Sequence, residues 1–302
     1  MRKTIKKIMR KTIRKTIIKI NYFIYRLFGN RFNAIYELEL GKSISQNVKI
    51  VSPDNTLDEI EQCILDAKKG AYLRFGDGDV FLFKNVLDSY QVNSKALSIE
   101  MGECFSVSGQ NVFKCLAIHS DYFGFSEEMS EDNHKNNDEF ALKLFLDTYK
   151  YFIGSNIYSP VALHFMAAIN VKRANFFLKT LKSKTKIFIG NEQVNEQMKI
   201  HLFGQKTIHI KTPVKNAYSE IDRIEYEALK FISENEGFFV ICVAMGCSGR
   251  PLIKRIWNKK YNVFLFDFGS LLDGILGNNS RKWLEINDIN YDELLNGLDK
   301  IE

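Results

Sequence analysis

Apolar positions in this chain follow two rhythms in alternation, one with helical spacing and one of short continuous runs. Thr56-Leu57-Asp58-Glu59 has the capping-box pattern and predicts a helix reaching about Lys69. The run Tyr72–Phe75 then reads as a strand, and residues 112–119 read as a second. Ser120–Asn137 is polar and rich in acids, and predicts a loop that either covers a ligand or is a solvated connection. Helical patterns fill about 138–152 and 160–182, the second opened by Ser159 and Pro160. Strands follow at Lys186–Ile189, Thr207–Lys211, Phe238–Ala244 and Asn262–Phe266, separated by helical stretches near 191–203, 218–234 and 249–259. Such alternation predicts an α/β, Rossmann-like fold: a largely parallel sheet with helices on both faces. No Pro/Gly-rich linker interrupts it, so residues 32–302 are expected to form one α/β domain with a helical insertion.

The N-terminus has a different pattern. Ile5, Ile8, Met9, Ile13, Ile17, Ile20, Ile24 and Leu27 recur at three- and four-residue steps, with Lys and Arg on the other faces. This predicts a basic amphipathic helix over residues 1–31. Three locations suit it: an anionic membrane surface, the body or a second subunit, or free solution as a tail. Where it meets a membrane, its cations and isoleucines both favour contact. No uncharged run is long enough to span a bilayer, and no signal-peptide core follows the basic residues.

Charge sharpens the division. The 302 residues carry a net +6, but the first 31 hold eleven Lys/Arg and no acid, so the rest carry 31 − 36 = −5. A mildly acidic body argues against general nucleic-acid binding. The arm's aromatics cluster at Tyr22–Tyr25 and do not interleave with its cations, so RNA is a poor fit there too. Five cysteines without a Cys-x-x-Cys pair suit a reducing, cytoplasmic setting, peripheral on the inner face of the membrane if the arm binds there.

Candidate chemistry concentrates in Ala71-Tyr-Leu-Arg-Phe-Gly-Asp-Gly-Asp79. Asp77 and Asp79 flank Gly78, and Arg74 stands three residues before the first. Two carboxylates at that spacing can share Mn²⁺ or Mg²⁺, whose shell is commonly completed by substrate phosphates. A polar turn closing a strand is the bland alternative. Met245-Gly246-Cys247-Ser248-Gly249-Arg250-Pro251 comes after the most apolar strand and opens a helix, where N–H groups suit an anion and Ser248 can cap. Asp267 ends the next strand and would face a sugar hydroxyl or cap the segment after it. Asn216, beyond Pro213, offers a donor and an acceptor. The five histidines show no metal-ligand spacing, and His119 is the one closest to a strand end.

In sequence order these segments resemble the bacterial glycosyltransferases of the GT-D type, across roughly residues 52–275. Arg74-Phe-Gly-Asp-Gly-Asp79 is similar to that family's Arg-[Phe/Tyr]-Gly-Asp-Gly-Glu. Gly190-Asn191, the Pro213–Ser219 stretch, the Gly246 turn and Asp267-x-Gly269 also match. The resemblance implies that Asp77 and Asp79 hold the metal and that Arg74 pairs with the diphosphate or orients the carboxylates. It further implies a nucleotide-sugar site reaching Gly76, Gly78, Asn191, Asn216, Gly246, Ser248 and Asp267. Two positions depart from the pattern: Asp79 stands where Glu is typical, and Ser270 where the family has His.

The resemblance therefore implies a metal-assisted transferase moving a sugar from a nucleotide-sugar donor, expected to be a UDP-sugar, to a glycan, glycolipid or glycoprotein acceptor. Asp121, Glu192 and Asp267 are the candidate bases. Two other classes compete: a non-catalytic nucleotide-binding module tethered by the arm, and a dinucleotide oxidoreductase, which the incomplete glycine fingerprint disfavours.

Overall fold

The computed structural model describes residues 49–86, 88, 90–116, 148–152, 154–277 and 289–298. Strand β1 (Lys49–Ile50) leads to helix α1 (Pro53–Leu65), β2 (Gly70–Phe75), α2 (Asp77–Phe83), α3 (Lys95–Phe105) and β3 (Val112–Leu116). Beyond a 3₁₀ turn at Tyr149–Tyr151 come β4 (Asn156–Ile157), α4 (Ala162–Ile169), α5 (Val171–Lys184), β5 (Thr185–Asn191), α6 (Glu196–Phe203) and β6 (Ile208–Thr212). The chain continues through α7 (Ile221–Glu234), β7 (Phe239–Ala244), α8 (Gly249–Asn258), β8 (Val263–Asp267), α9 (Leu271–Ile275) and α10 (Tyr291–Asn296).

Six strands form one parallel sheet in the order β3-β2-β8-β7-β5-β6, and β1 pairs with β4 beside it. β2 and β8 are buried at every position, which explains their continuous apolar runs. Helices pack in two groups, one in which α1, α4, α6 and α10 meet α5, and one in which α2 and α8 meet α3 and α7 meets α8. Right-handed crossovers put these groups on opposite faces, because β2→β3 and β7→β8 step one way along the sheet and β5→β6 the other. Rings link sheet to helices, Phe75 stacking on Phe105 at 4.2 Å and Phe188 on Phe203 at 4.6 Å, and within the sheet Tyr72 of β2 stacks on Phe266 of β8 at 5.1 Å.

Several expectations need correcting. α1 begins at Pro53, not Thr56, because Ser52 is the cap: its Oγ accepts the Asn55 N–H at 3.3 Å. The helix expected over 160–182 is two helices. Asn170 breaks it, its Oδ1 accepting the Arg173 N–H at 3.2 Å as the cap of α5. The carboxylate motif is not a loop but the first turn of α2. Helix α3 has no counterpart among the elements that the apolar pattern predicts. The arm, the polar loop at 120–137, most of the helix expected over 138–152, and the last residues of the second strand, including His119, lie outside the described residues.

Candidate active site

β2 and β8 lie side by side, and each carries one charged residue near its C-terminal end, Arg74 and Asp267. Both are buried, so each needs a partner. Asp267 Oδ1 lies 3.9 Å from Arg74 Nη1, and its Oδ2 lies 3.4 Å from Arg250 Nη1. Arg250 Nε also stands 3.2 Å from Asp79 Oδ1. Two guanidiniums and two carboxylates thus form a buried chain, Arg74–Asp267–Arg250–Asp79. The arginines hold backbone as well: Arg74 Nε donates to the Pro160 carbonyl, and Arg250 donates to the carbonyls of Arg74 and Gly246. One side chain therefore joins the end of β2, the turn after β7, the start of α2 and the end of β8.

Asp77 and Asp79 have separate environments. Asp79 is 1% exposed, and its Oδ2 accepts the Gly76 N–H at 2.8 Å, a reach-back cap on α2. Burial pushes its pKa up to about 6, against the pull of Arg250, the Gly76 N–H and the Cys247 thiol. Desolvation opposes the charge of Arg250, but the Asp267 and Asp79 carboxylates outweigh it and hold that pKa above its ordinary value. Asp77 is exposed, its Oδ1 accepting the Gly78 N–H at 2.8 Å. Residues two apart on a helix do not face each other, so the two carboxylates diverge.

The other expected residues occupy the same sheet edge in different roles. Gly76 caps α2, and Gly246 takes φ +57 with open space where a Cβ would stand. Gly78 has a close approach, but from inside the protein: a Cβ there would stand 2.9 Å from both Asp88 Oδ1 and Cys247 Sγ. Ser248 does not cap α8. It is buried and donates to Gln91 Oε1 at 2.7 Å. Asn216, left-handed at φ 59, fastens the segment after α2, with its N–H on the Tyr90 carbonyl and its Oδ1 accepting the Val92 N–H, both at 2.9 Å. Asn191 ends β5 beside the end of β7, and its Oδ1 accepts the Gln193 N–H at 2.8 Å. Glu192 is exposed next to it, and Asp121 lies outside the described residues.

Between β5 and β7 the outgoing connections diverge, toward β6 and toward β8. Ligands of open α/β sheets bind at such a switch point. A depression of about 450 Å³ lined by Lys182, Gln197, Ile200, His201, Gly204 and Gln205 lies at the opposite edge, where α5 and α6 end.

Arg250, Gln91 and Asp88 were not singled out from sequence. Arg250 stands in the quoted glycine turn, yet nothing in its spacing marks it as the basic residue that would be buried against two distant carboxylates. Gln91 is buried, accepting from Ser248 and from the Tyr218 N–H, so it ties three loops of this edge together.

Among the described residues no group of three or more His, Cys, Asp or Glu side chains forms a protein-only metal cage. Asp77, exposed at the motif, suits a hard cation whose remaining ligands are phosphate oxygens and water. Asp79 is buried beside Arg250.

The family model for the glycosyltransferase GT-D fold matches residues 72–271, from β2 into α9. Among solved structures, the chain is similar to the selenomethionine-substituted structure of domain of unknown function 1792, with 19% identity and TM-score 0.57, over 80% of this chain and 86% of that one. It is similar to a structure described as that highly conserved domain with a distinct glycosyltransferase fold, at 18% identity and TM-score 0.55, over 76% and 83%. A third is described as a new glycosyltransferase (DUF1792) from Streptococcus sanguinis, at 21% and 0.55, over 76% and 85%. At these identities the likeness concerns the fold. No curated protein matches the chain.

Proposed function

The chain belongs to the glycosyltransferase GT-D fold family, and from that premise we propose that it moves a sugar from a nucleoside-diphosphate donor, expected to be a UDP-sugar, to a glycan, glycolipid or glycoprotein acceptor. The observation that carries this reading is the convergence, at one edge of the parallel sheet, of exposed Asp77, the open Gly246 turn and the Arg74–Asp267–Arg250–Asp79 chain.

Breaking the sugar–phosphate bond leaves negative charge on the departing diphosphate. N–H groups of the Gly246 turn, at the start of α8, are preorganised to favour that charge, and the buried Arg74–Asp267–Arg250–Asp79 chain holds that turn in place. Mn²⁺ or Mg²⁺ held by Asp77 would supply Lewis-acid stabilisation of the same charge. Asp267, engaged by two guanidiniums, serves to orient Arg74, which leaves Asp121 and Glu192 as candidate proton acceptors from the acceptor hydroxyl. Asn191 and Asn216 line the neighbouring part of the edge as donor-contacting candidates.

A thermal-shift panel of UDP-, GDP- and dTDP-sugars, with and without Mn²⁺, tests the reading. Stabilisation by one base class, with a Mn²⁺ increment lost in Asp77→Asn, is expected. No shift with any donor would refute it.

No helix among the described residues is long and apolar enough to cross a membrane. The basic arm is the proposed membrane contact, each cation contributing about 1 kcal/mol near an anionic surface. Removing residues 1–31 should abolish sedimentation with anionic liposomes, and unchanged sedimentation would exclude this role. Ser270, where the resemblance expects His, favours a second reading, a module that binds donor without turning it over. Donor binding without consumption by any acceptor fraction would select it.

A further inference from the structure

We infer that Arg250 is a positioning residue that keeps Asp79 out of any metal shell, leaving Asp77 as the motif carboxylate that faces the donor. The inference deepens the reading of this edge as a diphosphate site and rests on it.

Asp79 is held by its two oxygens in different ways, Oδ2 by a hydrogen bond and Oδ1, which accepts none, by ion-pair proximity alone. Oδ1 lies 3.2 Å from Arg250 Nε, and Oδ2 accepts the Gly76 N–H at 2.8 Å. The carboxylate is 1% exposed, while Asp77, two residues earlier, is exposed on another side of the same helix turn. Charge also argues for the assignment. Arg74 and Arg250 balance Asp79 and Asp267 one for one, so a divalent ion placed on Asp79 would add two positive charges beside a fixed guanidinium. Arg250 has little freedom to leave, because it also donates to the carbonyls of Arg74 and Gly246, the second being four residues back along its own turn and helix. The built-in cation between Asp79 and Asp267 is therefore a guanidinium. The outward carboxylate at Asp77 carries no comparable partner cation among the ion pairs of the described residues.

Crystals of the full chain soaked with MnCl₂ and UDP test this directly through the manganese anomalous signal. We expect manganese on Asp77, with Arg250 still paired to Asp79. Manganese ligated by Asp79, with Arg250 swung away, overturns the inference. UDP bound at this edge with no manganese on either aspartate overturns the inference while the donor reading stands, and absence of UDP as well overturns the donor reading, so the two failures are distinguishable. Mn²⁺ titration followed by electron paramagnetic resonance supplies the solution readout. Asp77→Asn should weaken Mn²⁺ binding about tenfold or more, and Asp79→Asn should change it less. The reverse order overturns the assignment. Arg250→Met, by freeing Asp79, should tighten Mn²⁺ binding, whereas a purely structural role predicts weakening, with Arg250→Lys close to the native value.

Discussion

Gly269→Ala is the sharpest perturbation of the buried charge chain, because it touches the chain without removing any of its groups. Gly269 lies just past Asp267 and has φ +66, and a Cβ there would fall 1.3 Å from Arg74 Nη1 and 2.5 Å from its Cζ. Alanine thus meets two costs. The left-handed backbone costs about 1–2 kcal/mol. The methyl also forces the guanidinium aside, breaking its bond to the Pro160 carbonyl and parting it from Asp267, and a hydrogen bond from a charged group contributes about 1.5–3 kcal/mol. Together the loss is roughly 2.5–5 kcal/mol, a large share of a typical domain's stability. Gly277→Ala is the control: φ is +76 there and nothing among the described residues lies within 4 Å of the added methyl, so it should lose about 1–2 kcal/mol from backbone strain alone. Urea unfolding of both variants measures the difference, and the same samples report donor binding. Gly269→Ala should be the less stable of the two and bind nucleotide sugar more weakly than Gly277→Ala. Equal losses in stability and unchanged binding would refute the packing of Arg74 against this turn.

Other predictions concern the layer beneath the site. Burial works against the charge of Glu100, but bonds from Arg255, Tyr218 and Lys254 pull its pKa down to about 2. A depressed carboxylate pKa contributes stability above the unfolded value near 4.5, lost as pH falls toward 2. Allowing for solvent screening, Glu100→Gln should cost about 1–2 kcal/mol at pH 7, a deficit that shrinks below pH 4.5 in denaturant titrations. A constant deficit across that range would contradict the assignment. Ala67 and Lys260 sit in left-handed conformation just past the ends of α1 and α8, where the Lys68 and Ala67 N–H groups close a Schellman pattern onto Cys63 and Ile64. Replacing either by glycine should raise stability by about 0.5–1 kcal/mol, read as a higher melting temperature, and a lower one would contradict that geometry.

The sheet was legible because strands covered on both faces must be apolar throughout. β7 and β8 therefore appear in the sequence as apolar runs, expected over Phe238–Ala244 and Asn262–Phe266 and observed over Phe239–Ala244 and Val263–Asp267, and β2 as a run broken only by Arg74. Helix limits were less legible where a short polar side chain decides them. Ser52 outcompetes the capping box at Thr56, and Asn170 interrupts a periodicity that reads as continuous. Helix α3 contains Gly102 and has little apolar asymmetry, so its pattern does not stand out from a loop. Arg74, Asp79 and Asp267 were singled out by type and position, and the fold brings them together. Their connection through Arg250 depends on β8 and β2 becoming neighbours across a long sequence separation, which no local spacing encodes. The divergence of Asp77 and Asp79 results from the helical turn, whereas the same spacing in an extended loop lets both reach one ion.

Sugar transfer itself is the measurement that bears most directly on this account. The 302-residue chain incubated with radiolabelled UDP-sugars and membrane or glycan acceptor fractions should release UDP and label an acceptor. Arg74→Met and Asp77→Asn should each remove most of that label while the protein remains folded. Retained donor binding with no label in any fraction, or undiminished transfer by both variants, would contradict it.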